Sequence, residues 1–242
     1  MKSLLDKESI DFKAGQILLI DKPLTWSSFQ VINKVRYPLR RIYNIKKFKV
    51  GHAGTLDPLA TGLLVVCTGK MTKQIDQFVQ DKKRYTGTIK LGATTPSFDL
   101  ETEIDQTFET SHITSEMIED VRVKFLGEQE QTPPVFSAKQ VNGKRAYQLA
   151  REGKEVKLKK ALINVFDLSL ELKGDEVEFD ITSSKGTYIR SFAYDLGKAL
   201  NSGAHLTRLR RESSGDFDVA NALTVDEVID LIESKAVVVE NQ

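Results

Sequence analysis

The chain has 242 residues, 40% of them hydrophobic, with three histidines, one cysteine and a formal net charge of +1. That content builds an ordinary core for one large domain or two small ones, while the lone Cys67 excludes an internal disulfide framework and the scattered His52, His112 and His205 give no metal-ligand spacing, so no metal is expected. No apolar run reaches the roughly 18 residues of a membrane helix, and MKSLLDKESIDFK has neither the apolar stretch nor the cleavage site of a signal peptide, so the expected compartment is the cytoplasm.

GQILLIDKP (15–23) reads as a buried strand stopped by Asp-Lys-Pro. SSFQVINKVR sets Val31, Ile32 and Val35 at helical spacing behind Ser and Thr caps, and Pro38 is expected to break that pattern. LLVVC predicts a short buried strand, and Met71, Ile75, Phe78 and Val79 recur as one face of a helix. RYTGTIKLG alternates Tyr85, Gly87, Ile89 and Leu91 against Thr86, Thr88 and Lys90, the pattern of a half-buried strand. The polar, acidic stretch 92–111 reads as a surface loop, followed by a helix over SEMIEDVRVKFLG whose end Gly127 marks.

Between Gln131 and Lys159, Pro133-Pro134, the Asn142-Gly143 turn and the basic amphipathic KRAYQLAREGK offer too few large apolar residues for a core element, so this stretch reads as an excursion. LINVFDLSLEL and EVEFDITSS flank Lys173-Gly174-Asp175, a hairpin signal. A helix then runs through Ile189, Phe192, Leu196 and Leu200, a strand follows over HLTRLRRESSG, and Thr224 with Glu227 forms a capping box for TVDEVIDLIE. Strands joined by helices and hairpins without strict alternation predict an α+β fold around a mixed, largely antiparallel sheet flanked by helices.

The near-neutral total hides segregated charge. From Lys22 to Leu56 there are eight Lys or Arg and no acid, and from Ala138 to Lys160 there are eight bases against Glu152 and Glu155. Arg208, Arg210 and Arg211 add a third cluster, while ten acids lie between Asp99 and Glu130 and seven between Asp216 and Gln242. Each basic run alone is an ordinary solvated face. Three together fit a positive face turned to a polyanion, with nucleic acid the expected partner.

Residues 51–62, GHAGTLDPLATG, isolate Asp57 as the sole acid between Asp21 and Asp76, within a glycine-rich loop. The loop lacks the Lys-Ser/Thr of a phosphate-binding loop and the G-x-G-x-x-G spacing. GHAG matches the GXXG of KH domains, a weak signal alone, and no second carboxylate stands nearby for glycosidase-like chemistry. A solitary nucleophilic carboxylate and a turn-capping Asp before Pro58 both remain open.

GHAGTLDPLATGLLVV, taken with LIDKP upstream, KRYTGTIKLG downstream and SSKGTYIRSFAYDLG further on, closely resembles the TruB family of pseudouridine synthases, over roughly Gly15 to Gly215 and in the family's order. The resemblance implies the pseudouridine synthase fold in a single catalytic domain from 1 to 242, with an RNA-gripping thumb inserted at 131–159. It implies isomerisation of uridine 55 in the tRNA T-loop, without cofactor. Asp57 matches the catalytic aspartate, and Arg190 matches the arginine that would hold it by a charge-assisted pair. Tyr85 would stack on the flipped uracil, Leu209 would pack on its other side, Tyr188 would support Arg190 or the base, and His52 would fill the space the base leaves. By pattern alone, Tyr85 is the first inward residue of a strand, Leu209 a core leucine, Arg190 a surface charge and His52 a loop histidine. Lys22-Pro23 matches an element that supports the loop structurally.

The implied partner is tRNA, through its T-arm, bound by a monomer with no membrane or DNA involved. Only thirty residues follow Glu212, mostly acidic, so the family's C-terminal PUA domain is expected to be absent or vestigial. The basic segment Pro38 to Val50 is expected to add phosphate contacts. Competing readings are a tRNA-folding chaperone in which modification is secondary, and an RNA-guided relative working inside a ribonucleoprotein.

Overall fold

The computed structural model describes residues 2–79, 82–137, 139–141, 143–146 and 158–238. In chain order the elements begin with α1 (Lys2–Leu5), β1 (Ile17–Lys22), α2 (Ser28–Ile42), β2 (Val50–His52), β3 (Ala60–Thr68), a 3-10 turn (Gly69–Gln74) and α3 (Ile75–Val79). They continue with β4 (Lys83–Leu91), β5 (Ala93–Thr94), β6 (Gln106–Thr107), α4 (Ser115–Lys124), β7 (Gly127–Gln131), β8 (Gln140–Val141), β9 (Lys144–Arg145), β10 (Ala161–Lys173) and β11 (Glu176–Ser183). Last come α5 (Ile189–Ala199), β12 (Ala204–Ser214), β13 (Phe217–Asp218), a 3-10 turn (Val219–Asn221) and α6 (Val225–Lys235). No described helix is long and apolar enough to cross a membrane.

The chain divides into two compact units, one of residues 1–84 and 210–242 and the other of residues 85–209. In the first, β1 pairs antiparallel with β3, opposing Ile17 to Cys67 and Lys22 to Gly62, and β2 pairs antiparallel with the last three residues of β3, His52 opposing Val66 and Val50 opposing Thr68. Because side chains alternate across a strand, Leu18, Ile20, Leu64 and Val66 face one layer while Leu19, Leu63 and Val65 face another. The first layer is closed by Val31, Ile32, Val35 and Leu39 of α2 with Val228, Leu231 and Ile232 of α6. Ile75, Phe78 and Phe217 cover the second, the last two rings meeting edge-on at 5.7 Å. With both faces covered, the strands read as continuous apolar runs. Cys67 is fully buried there, and burial pushes its thiol up to about 11.

In the second unit β4, β11, β10 and β7 follow one another as sheet neighbours. β10 and β11 are antiparallel and joined through Gly174-Asp175, as the turn signal predicted. Phe192 of α5 meets Phe179 of β11 edge-on at 5.9 Å and Phe125, just after α4, at 5.3 Å. The fold class is the expected one, a mixed, largely antiparallel sheet with flanking helices.

Three local expectations are corrected. α2 runs through Pro38 rather than stopping there. Proline removes one backbone bond, but Pro38 and Leu39 are both buried and extend the apolar stripe of α2, so packing outweighs the loss. The helix over 71–79 is instead a 3-10 turn leading into the short α3. Gly69, at φ +52°, lies so close to the carbonyl of Lys13 that an added Cβ would stand 2.2 Å away, and the Thr72 hydroxyl donates to the Gly69 carbonyl at 2.7 Å, so the first turn is held tight. Finally, 92–111 is not wholly a surface loop. Thr95, Ser97 and Asp99 are buried, and the stretch satisfies itself as the Thr95 and Ser97 hydroxyls donate to the Asp99 carbonyl at 2.7 and 3.2 Å.

Of the expected thumb, 131–159, residues 138, 142 and 147–157 lie outside the described residues. KRAYQLAREGK therefore falls largely beyond them. Gln140 and Val141 pair antiparallel with Arg145 and Lys144.

Candidate active site

In the first unit the chain leaves β2 at His52, turns through Gly54 and Asp57, and returns as β3. Ser28, the first residue of α2, clamps the turn from behind. Its hydroxyl donates to the Leu56 carbonyl at 2.9 Å and accepts from the Leu56 N–H at 2.8 Å, satisfying both main-chain groups of a buried residue. Thr25 N–H donates to the Pro58 carbonyl at 2.9 Å and Ala60 N–H to the Asp57 carbonyl at 3.1 Å. Asp57 itself is half-buried, between the buried Leu56 and the exposed Pro58.

Two buried cations brace this turn. Lys22, fully buried, donates to the carbonyls of Trp26 at 2.5 Å, Pro23 at 2.9 Å and, more weakly, Pro58 at 3.5 Å. Arg211, 1% exposed, donates from Nε to the Leu63 carbonyl at 2.7 Å and from Nη2 to the Gly54 carbonyl at 3.1 Å. Gly62, at φ +99°, lets β3 pass this arginine, since an added Cβ would lie 2.3 Å from the Arg211 carbonyl oxygen. Burial pushes the Lys22 ammonium down to about 8, the Asp57 charge opposing that shift and the Arg211 charge adding to it. Two buried cations at one turn make a setting that suits a phosphate-bearing ligand. His52 is held below its usual range by burial and then by Arg211, and its Nδ1 is buried without a hydrogen-bond partner among the described residues. An imidazole whose burial disfavours its charged form is better suited to filling space than to relaying a proton.

Tyr85, Tyr188, Arg190 and Leu209 all belong to the second unit. Tyr85 and Leu209 are buried, on β4 and β12. Tyr188 is the N-cap of α5, and Gln131 at the end of β7 grips its main chain twice, accepting from its N–H at 2.8 Å and donating to its carbonyl at 3.1 Å. Arg190, 5% exposed, donates from Nη1 to the carbonyls of Phe136 at 2.9 Å and Ser97 at 3.2 Å, with its Nε 3.6 Å from Asp99. Ser191 Oγ donates to the Thr132 carbonyl at 2.7 Å. The start of α5 is thus tied to both ends of the segment 132–136, the root of the expected thumb.

Arg190 is therefore buried rather than a surface charge. Sequence reasoning missed Ser28, Gln131 and Asp99, and it counted Arg211 only as part of a basic cluster. For Arg211 a signal was present, since it stands two residues after Leu209 and shares its side of the strand. Among the described residues, no group of His, Cys, Asp or Glu side chains has the arrangement of a metal site.

Comparison with known proteins places this geometry. The family model for the TruB family pseudouridylate synthase (N terminal domain) matches residues 40–189, and that for the tRNA pseudouridylate synthase B C-terminal domain matches residues 190–240. The chain is 53% identical to the tRNA pseudouridine synthase B of Phocaeicola vulgatus, over 90% of this chain and 93% of that protein. It is 51% identical to the protein of the same name from Parabacteroides distasonis, over 96% and 100% of the two chains. Among solved structures, a chain in the crystal structure of a Cbf5-Nop10-Gar1 complex superposes with a TM-score of 0.67 at 27% identity, covering 90% of this chain and 54% of that one. The present chain thus spans about half the length of that solved relative. With matches covering nearly its whole length, the chain belongs to the TruB family of pseudouridylate synthases.

Proposed function

We propose that this protein isomerises uridine 55 in the T-loop of tRNA to pseudouridine, with Asp57 as the nucleophile. The bond between uracil N1 and ribose C1′ breaks, the base rotates, C5 bonds to C1′, and the proton lost from C5 is balanced by one gained at N1. The observation that carries the reading is the clamped turn of 51–62, which presents one half-buried carboxylate beside the buried cations Lys22 and Arg211. Asp57 is the one acid in that turn, and a carboxylate is the nucleophile this chemistry needs.

The remaining roles rest on the motif matches. Tyr85 and Leu209 hold the extruded uracil, Tyr188 supports Arg190 or the base, and Arg190 pairs with Asp57. His52 occupies the space the base vacates, a role that suits an imidazole whose burial disfavours its charged form. Both units serve one catalytic domain acting as a cytoplasmic monomer, and the excursion at 131–159 grips the T-arm. The test is single-turnover assay of a T-arm transcript with the purified protein alone. Pseudouridine at one loop uridine supports the reading, and none at any position overturns it.

A further inference from the structure

Beside β2 the first unit carries a depression of about 510 Å³ lined by Arg36, Arg40, Lys46, Lys47, Lys49 and Thr72, with no acidic side chain in its wall. Arg40, Lys46, Lys47 and Lys49 are exposed and form no ion pair among the described residues. Their neighbour Arg41 differs, donating to Glu233 at 2.6 Å. Arg36 is set in place by the Asn33 side chain at 2.6 Å and the Val50 carbonyl at 3.1 Å. Five like charges in one concave surface repel each other, and an anion seated among them relieves that repulsion. A second depression shares Arg40 and Lys46 and is lined by Tyr37, which is 68% exposed. A lone exposed aromatic is ordinary, but one set between cations is a platform on which a nucleobase stacks.

We propose that this surface seats one backbone phosphate of the RNA in the basic depression and stacks an unpaired base of the adjoining nucleotide on Tyr37. The inference rests on the RNA-modifying reading above and names where a flanking part of that RNA lies. Val50 and Gly51 line the depression and His52 follows directly, so the seat adjoins the loop that carries Asp57. Guanidinium forks and ammonium groups are the usual partners of a phosphate, and the ring adds a feature that a bare polyanion would not use.

The test measures binding of a fluorescein-labelled T-arm hairpin and, separately, of inorganic polyphosphate to the full chain across a range of salt concentrations. Variants are K46Q/K47Q/K49Q and Tyr37→Ala, all at exposed positions, with melting curves to confirm folding. Neutralising the lysines should make the slope of log affinity against log salt shallower by about 0.7 to 0.9, the release associated with one phosphate. Tyr37→Ala should weaken RNA binding about tenfold with the slope unchanged, and leave polyphosphate binding unaffected. A parental slope in the lysine variant overturns the seat. A Tyr37→Ala variant that binds RNA as the parent does, or loses polyphosphate equally, overturns the stacking and leaves a patch for any polyanion or acidic protein. Pseudouridine assay of the parent separates the two readings: modification with a parental slope in the lysine variant refutes the seat alone, whereas no modification by the parent refutes the functional reading.

Discussion

Ser28 and Gln131 perform the same service in two different settings. Each grips a single distant residue by both its N–H and its carbonyl, Ser28 holding Leu56 just before Asp57, and Gln131 holding Tyr188 two residues before Arg190. What differs is the charge. In the loop of the first unit, Lys22 and Arg211 spend their protons on carbonyls, and the Asp57 and Arg211 charges both act on Lys22. At the start of α5, Arg190 also bonds to carbonyls but has Asp99 beside it, at 3.6 Å and equally buried. One region sets two buried cations near an acid, and the other sets an acid beside a base. A fixed main chain among buried cations suits a site for an anion. Compensation marks a base whose orientation matters more than its net charge.

The sharpest break of this contrast is Asp57→Asn. It should fold and melt near the parent temperature and bind T-arm RNA comparably, yet form no detectable pseudouridine in a single turnover. Were Asp57 only capping its turn, Asn would serve almost as well and turnover would be nearly normal. Next is Arg190→Lys, which keeps the charge but loses the planar guanidinium, whose Nη1 reaches two carbonyls while its Nε faces Asp99. Its turnover should fall about tenfold or more, corresponding to ~1.4 kcal/mol or above. A parental rate would show that the orientation set at α5 has no bearing on the chemistry.

Smaller effects sharpen the comparison of the clamps. Ser28→Ala and Gln131→Ala each strand one N–H and one carbonyl, and each should cost about 1–3 kcal/mol in urea unfolding. If the loop is the reacting element, Ser28→Ala should also slow turnover by more than its stability loss explains at saturating RNA. The smallest effect concerns pH. Lys22 is held at about 8 in the fold against 10.5 when free, so between those values the unfolded chain binds more protons. Stability from this group therefore rises as pH increases from about 8 toward 10.5, and it is lost as pH falls through 8. Unfolding measured over that window should show the parent gaining on Lys22→Met. A constant difference would mean that Lys22 titrates normally.

What the sequence made legible was whatever local chemistry decides. The Gly174-Asp175 hairpin, the Thr224-Glu227 box and the periodic face of α5 each declare themselves within a dozen residues, and each is present. The supports of the candidate site are different. Ser28 meets Leu56 across 28 residues, Gln131 meets Tyr188 across 57, and Arg190 meets Ser97 across 93. No periodicity window reaches that far, so these polar residues read as surface or cap until the fold brings their partners to them. Pro38 shows the same limit from the other side. Its local rule is sound and was overruled by burial of the helix, whose neighbouring Leu39 joins the cluster with α6, an element nearly two hundred residues later in the chain. Asp57 and Arg190 stood out in the sequence because they lie in motifs. The residues that hold them in place did not.

The solitary thiol has a use of its own. Cys67 lies near the end of β3, fully buried and opposite Ile17, and burial pushes its thiol up to about 11. Both its burial and its protonation withhold it from alkylating reagents at neutral pH, so it can react only when β3 is exposed. Because the chain contains no second cysteine, the rate of that single labelling event is a built-in clock for opening of the strand behind the loop. It would time how often the scaffold lets go, with and without RNA bound, without any dye or engineered probe in the protein.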